Sequence, residues 1–126
     1  MAKPPIPTEA QEQTLLFEWA ALQTGKYPEL ALMFHVANGG SRHPVEAANL
    51  KRQGVKAGVP DICLPVARGK YHGLYIELKR RKSGRPSSAQ IWWLGSLQEQ
   101  GYVAWICYGW EHAAKMIKEY LETEEK

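Results

Sequence analysis

The chain has little that could staple it or anchor it. Only two cysteines, Cys63 and Cys107, occur among 126 residues, both inside apolar runs. That excludes a disulfide framework and predicts buried thiols in a reducing compartment. No apolar run approaches the ~20 residues of a membrane span, and no leader pattern opens the sequence, so a cytosolic protein is expected. Cysteine and histidine show no zinc spacing, no glycine-rich nucleotide loop is present, and nothing repeats. A strong excess of one charge is also missing: the net charge is +3, with a pI near 8.9. The charge is unevenly placed, however. Lys79-Arg80-Arg81-Lys82-Ser83-Gly84-Arg85 puts five basic residues into seven positions, whereas the stretch from Glu119 to Glu125 is acidic. A local basic run points to a polyanionic partner more than the overall balance does.

What is present suffices for a core: 44% of residues are hydrophobic, and five are tryptophan. The length fits one domain, spanning residues 8–126 behind a proline-rich, extended and mobile arm at 1–7. Thr8 reads as the cap of a helix whose apolar stripe is Leu15, Leu16, Trp19, Ala20 and Leu22. Glu12 falls on that buried stripe, with Glu9 one turn earlier. An acid there needs a partner or a metal. A strand is expected over 32–36, then an Asn38-Gly39-Gly40 turn. A polar loop follows, with Arg42 and His43 as potential phosphate contacts, and then a helix over 44–53 with Val45, Ala47, Ala48 and Leu50 inside. Residues 60–65 and 74–78 read as a hairpin turning at 68–70. Residues 87–100 read as a helix packing through Ile91, Trp92, Leu94 and Leu97. The run 102–108 reads as a strand buried on both faces, and 110–121 as a closing helix. This order predicts an α/β domain built on a mixed sheet of about four strands flanked by helices. Its hairpin is antiparallel, and its last two strands are parallel through a helical crossover.

The hairpin brings chemistry together. Asp61 opens one strand and Glu77 nears the end of the other, sixteen positions later. Glu77 and Lys79 are two apart, so they share a face. Two converging carboxylates repel unless a hard cation lies between them, and carboxylate with carbonyl and water oxygens suits Mg²⁺ or Mn²⁺. Such an ion neutralises phosphoryl charge and acidifies a bound water. Lys79 can orient that water or stabilise developing negative charge. Set against this, a lone Glu-x-Lys is most often a surface ion pair contributing no more than ~1 kcal/mol.

Asp61…Glu77-Leu78-Lys79 resembles the PD-(D/E)XK nuclease signature. An acid-bearing first helix, Asn38-Gly39-Gly40, Gly54-Val55, Gly58-Val59-Pro60-Asp61, Ser87-Ser88-Ala89-Gln90 and Gly101 before a strand resemble the VRR-NUC (virus-type replication-repair nuclease) family in its small stand-alone, phage-like form. The resemblance implies a restriction-endonuclease-like fold and Mg²⁺- or Mn²⁺-dependent phosphodiester hydrolysis. It implies that Asp61, Glu77 and the Leu78 carbonyl hold the metal, that Lys79 is the catalytic lysine, and that Gln90 supports the site. The helix-1 acid would be Glu12 or Glu9, Glu12 being favoured by its sheet-facing spacing. It further implies a Holliday-junction resolvase-like enzyme that acts as a homodimer on branched or junction DNA, in the cytoplasm of a bacterial host.

Bland alternatives stand beside these readings. Ser87-x-x-Gln90 also fits a capping box, and the two roles are compatible. Arg80, Arg81, Lys82 and Arg85 either contact phosphate or are merely solvated. His35 reads as a satisfied core or edge residue. Of the adjacent tryptophans, Trp92 is expected to pack inward and Trp93 to lie outward. Two rival functions share the fold: a site-specific restriction-type nuclease, and a non-catalytic nucleic-acid-binding module. The first would need a base-reading element for which 126 residues leave little room.

Overall fold

A capping box starts the first helix: Thr8 accepts from the Gln11 amide while the Gln11 side chain accepts from the Thr8 amide. The computed structural model describes residues 5–37 and 43–124. Helix α1 runs Glu9–Leu22 and is followed by a 3₁₀ turn, Pro28–Leu32. The chain continues through β1 (Phe34–His35), α2 (Pro44–Arg52), β2 (Ile62–Leu64), β3 (Leu74–Lys79), α3 (Ser88–Glu99), β4 (Val103–Tyr108) and α4 (Trp110–Leu121). The sheet order is β1-β2-β3-β4, antiparallel except for the parallel β3–β4 pair joined by α3.

Leu74, Ile76 and Leu78 of β3 turn to one face, where they meet Leu16 and Ala20 of α1 and Ala113, Ile117, Tyr120 and Leu121 of α4. The period of two then sends Tyr75, Glu77 and Lys79 to the opposite face, the one from which α3 reaches Glu77. On α1, Glu12, Leu16 and Ala20 are four apart and all buried, so Glu12 lies on the inward stripe as its spacing predicts. Buried Arg68 ties the far end together, donating to the Leu121 and Ala67 carbonyls and pairing with Glu29.

Four expectations are corrected. The first strand is only Phe34–His35: Pro28 at the helical entry and the helix-favouring residues after it wind 28–32 into the 3₁₀ turn. β4 is not buried on both faces. It is the edge of the sheet, and Trp105 (55% exposed) and Tyr108 (42%) look outward. α3 keeps only part of the expected packing face: Leu94 is buried and Leu97 half-buried as expected, but Ile91 and Trp92 are exposed, Trp92 by 64%, and Trp93 is half-buried instead. Apolar residues surround that helix, so their spacing alone could not choose the inward side. α2 buries none of its residues, although Val45, Ala47, Ala48 and Leu50 read as an inner face. Asn38, Gly39, Gly40 and Arg42 lie outside the described residues. Pro5–Pro7 of the expected arm are tied to the body, because Arg80 donates to the carbonyls of Ile6 (3.0 Å) and Pro7 (3.2 Å).

Gly58 fixes the approach to Asp61. Its φ is +90°, and a Cβ there would lie 2.7 Å from the Ala89 carbonyl carbon of α3. Left-handed backbone costs an ordinary residue about 1–2 kcal/mol, and forced overpacking costs about 1–3 more. Gly58→Ala is therefore expected to lose about 2–5 kcal/mol of stability in urea denaturation. A loss below about 1 kcal/mol would show that this contact does not hold the segment.

Candidate active site

Asp61 precedes β2, and its main chain is pinned from β1. Its carbonyl accepts from the Val36 amide at 2.7 Å and from His35 Nδ1 at 2.9 Å, in the tautomer protonated there. Its side chain crosses to the partner strand, where Oδ2 accepts from the Leu78 amide at 2.9 Å. Asp61 is thus held across β2–β3 and beside Glu77, as the hairpin predicts.

Glu77 is 1% exposed. Its Oε2 accepts from Gln90 Nε2 at 3.0 Å and lies 3.6 Å from Lys79 Nζ. Its Oε1 is buried with no hydrogen-bond donor. Burial, then the Asp61 charge and carboxyl, push the Glu77 carboxyl up to about 8, with a smaller push from Glu9. The Lys79 ammonium opposes them without prevailing. Lys79 is 7% exposed, and its stem is covered by the loop that follows. A Cβ on Gly84 would stand 2.8 Å from Lys79 Cβ, so only glycine lets the chain fold back so closely.

Gln90 does two things at once. Its Oε1 accepts from the Ser87 amide, closing the α3 capping box, while its Nε2 donates to Glu77. An amide can do both. A glutamate would keep the cap and turn a like charge on Glu77.

Glu12 is fully buried, but its partners are not Asp61 or Glu77. It accepts from Arg81 Nε (2.7 Å), Arg81 Nη2 (3.2 Å) and the Trp110 amide (3.2 Å). Burial pushes its carboxyl up, and the Arg81 and Trp110 hydrogen bonds outweigh that to hold it below the ordinary range. Glu9, exposed one turn earlier, is the helix-1 acid whose charge reaches Glu77. The basic run divides as well. Arg80 holds the Ile6 and Pro7 carbonyls, and Arg81 bonds Glu12 and Glu111, while Lys82 and Arg85 are exposed. His43 is exposed ahead of α2. Sequence reasoning missed the links His35–Asp61 and Arg81–Glu12. The sheet order that puts His35 beside Asp61 was needed for the first. For the second, the buried acid at Glu12 was the available signal, since it demanded a cation.

The residues present fit a divalent cation. A buried carboxylate oxygen without a donor faces a site shared with a second carboxylate, and a positive ion relieves both costs. Among the described residues no three His, Cys, Asp or Glu side chains cluster as a metal cage. Two carboxylates leave positions for backbone carbonyl and water oxygen, which suits Mg²⁺ better than a dedicated cage does.

No curated protein matches the chain. The VRR-NUC domain family matches residues 8–111. A solved structure described as a "VRR_NUC domain protein" is 33% identical, over 98% of this chain and 94% of that one, with a TM-score of 0.84. That match spans Asp61, Glu77, Lys79 and Gln90 as well as the sheet that brings them together, and the chain belongs to the VRR-NUC family, nucleases of the PD-(D/E)XK type.

Proposed function

We propose that this nuclease is a Mg²⁺- or Mn²⁺-dependent, structure-selective DNA endonuclease that cuts branched DNA in the manner of a Holliday-junction resolvase. Its place of work would be the cytoplasm of a bacterial host. One observation carries the reading: Glu77 is buried with an unsatisfied oxygen, in reach of Asp61 and beside buried Lys79. That arrangement is costly as a structural element and useful as a cation seat.

Asp61 and Glu77 would hold the ion, with the Leu78 carbonyl as a third ligand and Glu9 adding negative charge nearby. When bound, the ion supplies charge neutralisation at a phosphoryl oxygen and a more acidic water. Gln90 fixes the rotamer of Glu77 through Oε2. Lys79, held within 3.6 Å of Glu77, presents its ammonium where negative charge develops on the phosphate and where an attacking water can be oriented. Burial keeps that charge from being screened by solvent. Exposed Lys82, Arg85 and His43 would grip phosphates, giving affinity and salt dependence without base reading. A four-way junction has two-fold related strands, and one chain offers one Asp61–Glu77–Lys79 set. Paired cuts therefore call for a homodimer.

The test is a cleavage panel of four-way junction, flap and linear duplex DNA with Mg²⁺, Mn²⁺ or chelator, and Asp61→Asn as control. Metal-dependent cutting of the junction in preference to the duplex is expected. Efficient cutting of linear duplex at one sequence would replace the reading with a site-specific nuclease, and no cutting with either metal would leave a binding module.

A further inference from the structure

We propose that Glu12 is a positioning residue that sets Lys79 through a closed ring of contacts, and that Arg81 is the clasp of that ring rather than a phosphate contact. This rests on the nuclease reading above for its catalytic consequence, though not for its geometry.

The ring begins at the end of β3. The Gly109 amide donates to the Lys79 carbonyl at 3.0 Å. The next amide, that of Trp110, donates to Glu12 Oε1 at 3.2 Å. Glu12 in turn accepts two bonds from Arg81, at 2.7 and 3.2 Å, and Arg81 stands two residues beyond Lys79. Following the contacts from Lys79 through Gly109, Trp110, Glu12 and Arg81 returns to Lys79. Three elements, α1, β3 and α4, are tied at the point where the lysine leaves the sheet.

Two features mark the ring as built for its contents. The residue that caps α4 is Gly109, which has no side chain to satisfy the helix amides, and no side-chain cap bond is present. A carboxylate from a different helix takes that place, where an anion at a helix N-terminus is favoured. Gly109 also has φ +87°, and a Cβ on it would stand 2.5 Å from Arg81 Nε and 3.1 Å from Glu12 Oε2. The backbone passes so close to the pair that a side chain there would push the guanidinium out of its place. Glu111 accepts a further bond from Arg81 at 3.2 Å, holding the guanidinium from outside. Arg81 thus spends its fork on two carboxylates, and its planar pairing is what a lysine cannot reproduce.

The test compares Glu12→Gln and Arg81→Lys with wild type in the full chain. Glu12→Gln keeps an oxygen for the Trp110 amide and removes the charge facing Arg81. Arg81→Lys keeps the charge and loses the fork, so it serves should the first variant fold poorly. In both, single-turnover cleavage of the junction is expected to fall about 10- to 100-fold at saturating DNA. The apparent KM, the metal-free Kd for junction DNA and the Mg²⁺ concentration giving half the maximal rate are each expected to stay within about twofold. Amide exchange of Gly109, followed by NMR without metal or DNA, is expected to speed up at least about tenfold as its bond to the Lys79 carbonyl loosens. A tenfold weaker Kd in Arg81→Lys with the saturated rate kept would make Arg81 a phosphate contact and overturn the proposal. A tenfold shift in the Mg²⁺ requirement of Glu12→Gln would make Glu12 part of the metal site and overturn it too. So would an unchanged saturated rate, or Gly109 exchange at the wild-type rate. If wild type cuts no DNA, the nuclease reading fails, and the exchange measurement alone decides whether the ring holds the end of β3.

Discussion

Glu77→Gln is expected to lower Mg²⁺-dependent cleavage by about 10³-fold or more while leaving the metal-free protein at least as stable at pH 8. The two effects have one origin. Once Glu77 ionises, Asp61 and Glu77 outnumber Lys79 by one negative charge around two buried side chains, Glu77 and Lys79, and Glu77 Oε1 finds no donor there. Glutamine keeps an oxygen for Gln90 Nε2 and removes that excess charge. Replacing badly paired buried charge with a neutral group of the same shape is typically neutral or stabilising, by about 1 kcal/mol or more. The same replacement removes a proposed cation ligand. Wild type should therefore gain melting temperature as Mg²⁺ is raised, as any ligand that binds only the folded state demands, and the variant should gain little. Thermal denaturation with and without Mg²⁺, beside single-turnover cleavage, measures both. Retained cleavage, or an equal Mg²⁺ stabilisation in the two proteins, would remove Glu77 from the cation site.

Without metal, the protein is expected to lose stability as pH rises from about 4.5 to about 8. In the folded chain the Glu77 carboxyl is raised from 4.5 to about 8, chiefly by burial and then by Asp61. Between those values the folded state holds a proton that the unfolded state has released, so each step up in pH favours unfolding. The stabilisation is complete below the unfolded value and gone above the folded one, and it amounts to no more than about 5 kcal/mol at ~1.4 kcal/mol per unit. Glu12 works with the opposite sign. Its folded carboxyl is lowered, so its contribution is present above its unfolded value and is lost as pH falls through the folded one. Urea denaturation of wild type and Glu77→Gln between pH 5 and 8, in chelator, separates the two. The slope difference between the proteins belongs to Glu77, and Mg²⁺ should abolish it by displacing the proton. Parallel slopes in chelator would refute the raised carboxyl.

The hairpin was legible because two signals agreed. Asp61 and Glu77 sit at the facing ends of two strand-like runs, and Arg68-Gly69-Lys70 between them has turn chemistry. Ala113, Ile117 and Leu121 on α4 are regular enough to name its inner face. Glu12, Leu16 and Ala20 form the inner face of α1, but Leu15 and Leu22 of the expected α1 stripe are exposed, because apolar type alone does not fix the edge of a stripe. Where pattern ran out, tertiary context decided. β4 is apolar throughout, and nothing in Val103–Tyr108 says that no strand lies beyond it. α3 has apolar residues all round, and its inward side is set by Gln90 reaching Glu77, a long-range contact invisible to helical spacing. The basic run showed the same limit. Composition proposed Arg80, Arg81, Lys82 and Arg85 for phosphate, and the fold gives Arg80 and Arg81 to the protein's own carbonyls and carboxylates.

α2 has one more implication. A nine-residue helix that buries none of its side chains draws almost nothing from the core, and helices of that length are marginal by themselves. Its local opening is therefore expected to cost a free energy well below that of the whole chain. Such motion nine residues upstream of Asp61 would ordinarily smear the position of its carboxylate. Gly58, seated against Ala89, lies between them as a fixed point, with the strand bonds of Asp61 behind it. That contact is placed to keep any opening of α2 from reaching Asp61, so a loosely held segment and a precise one can adjoin.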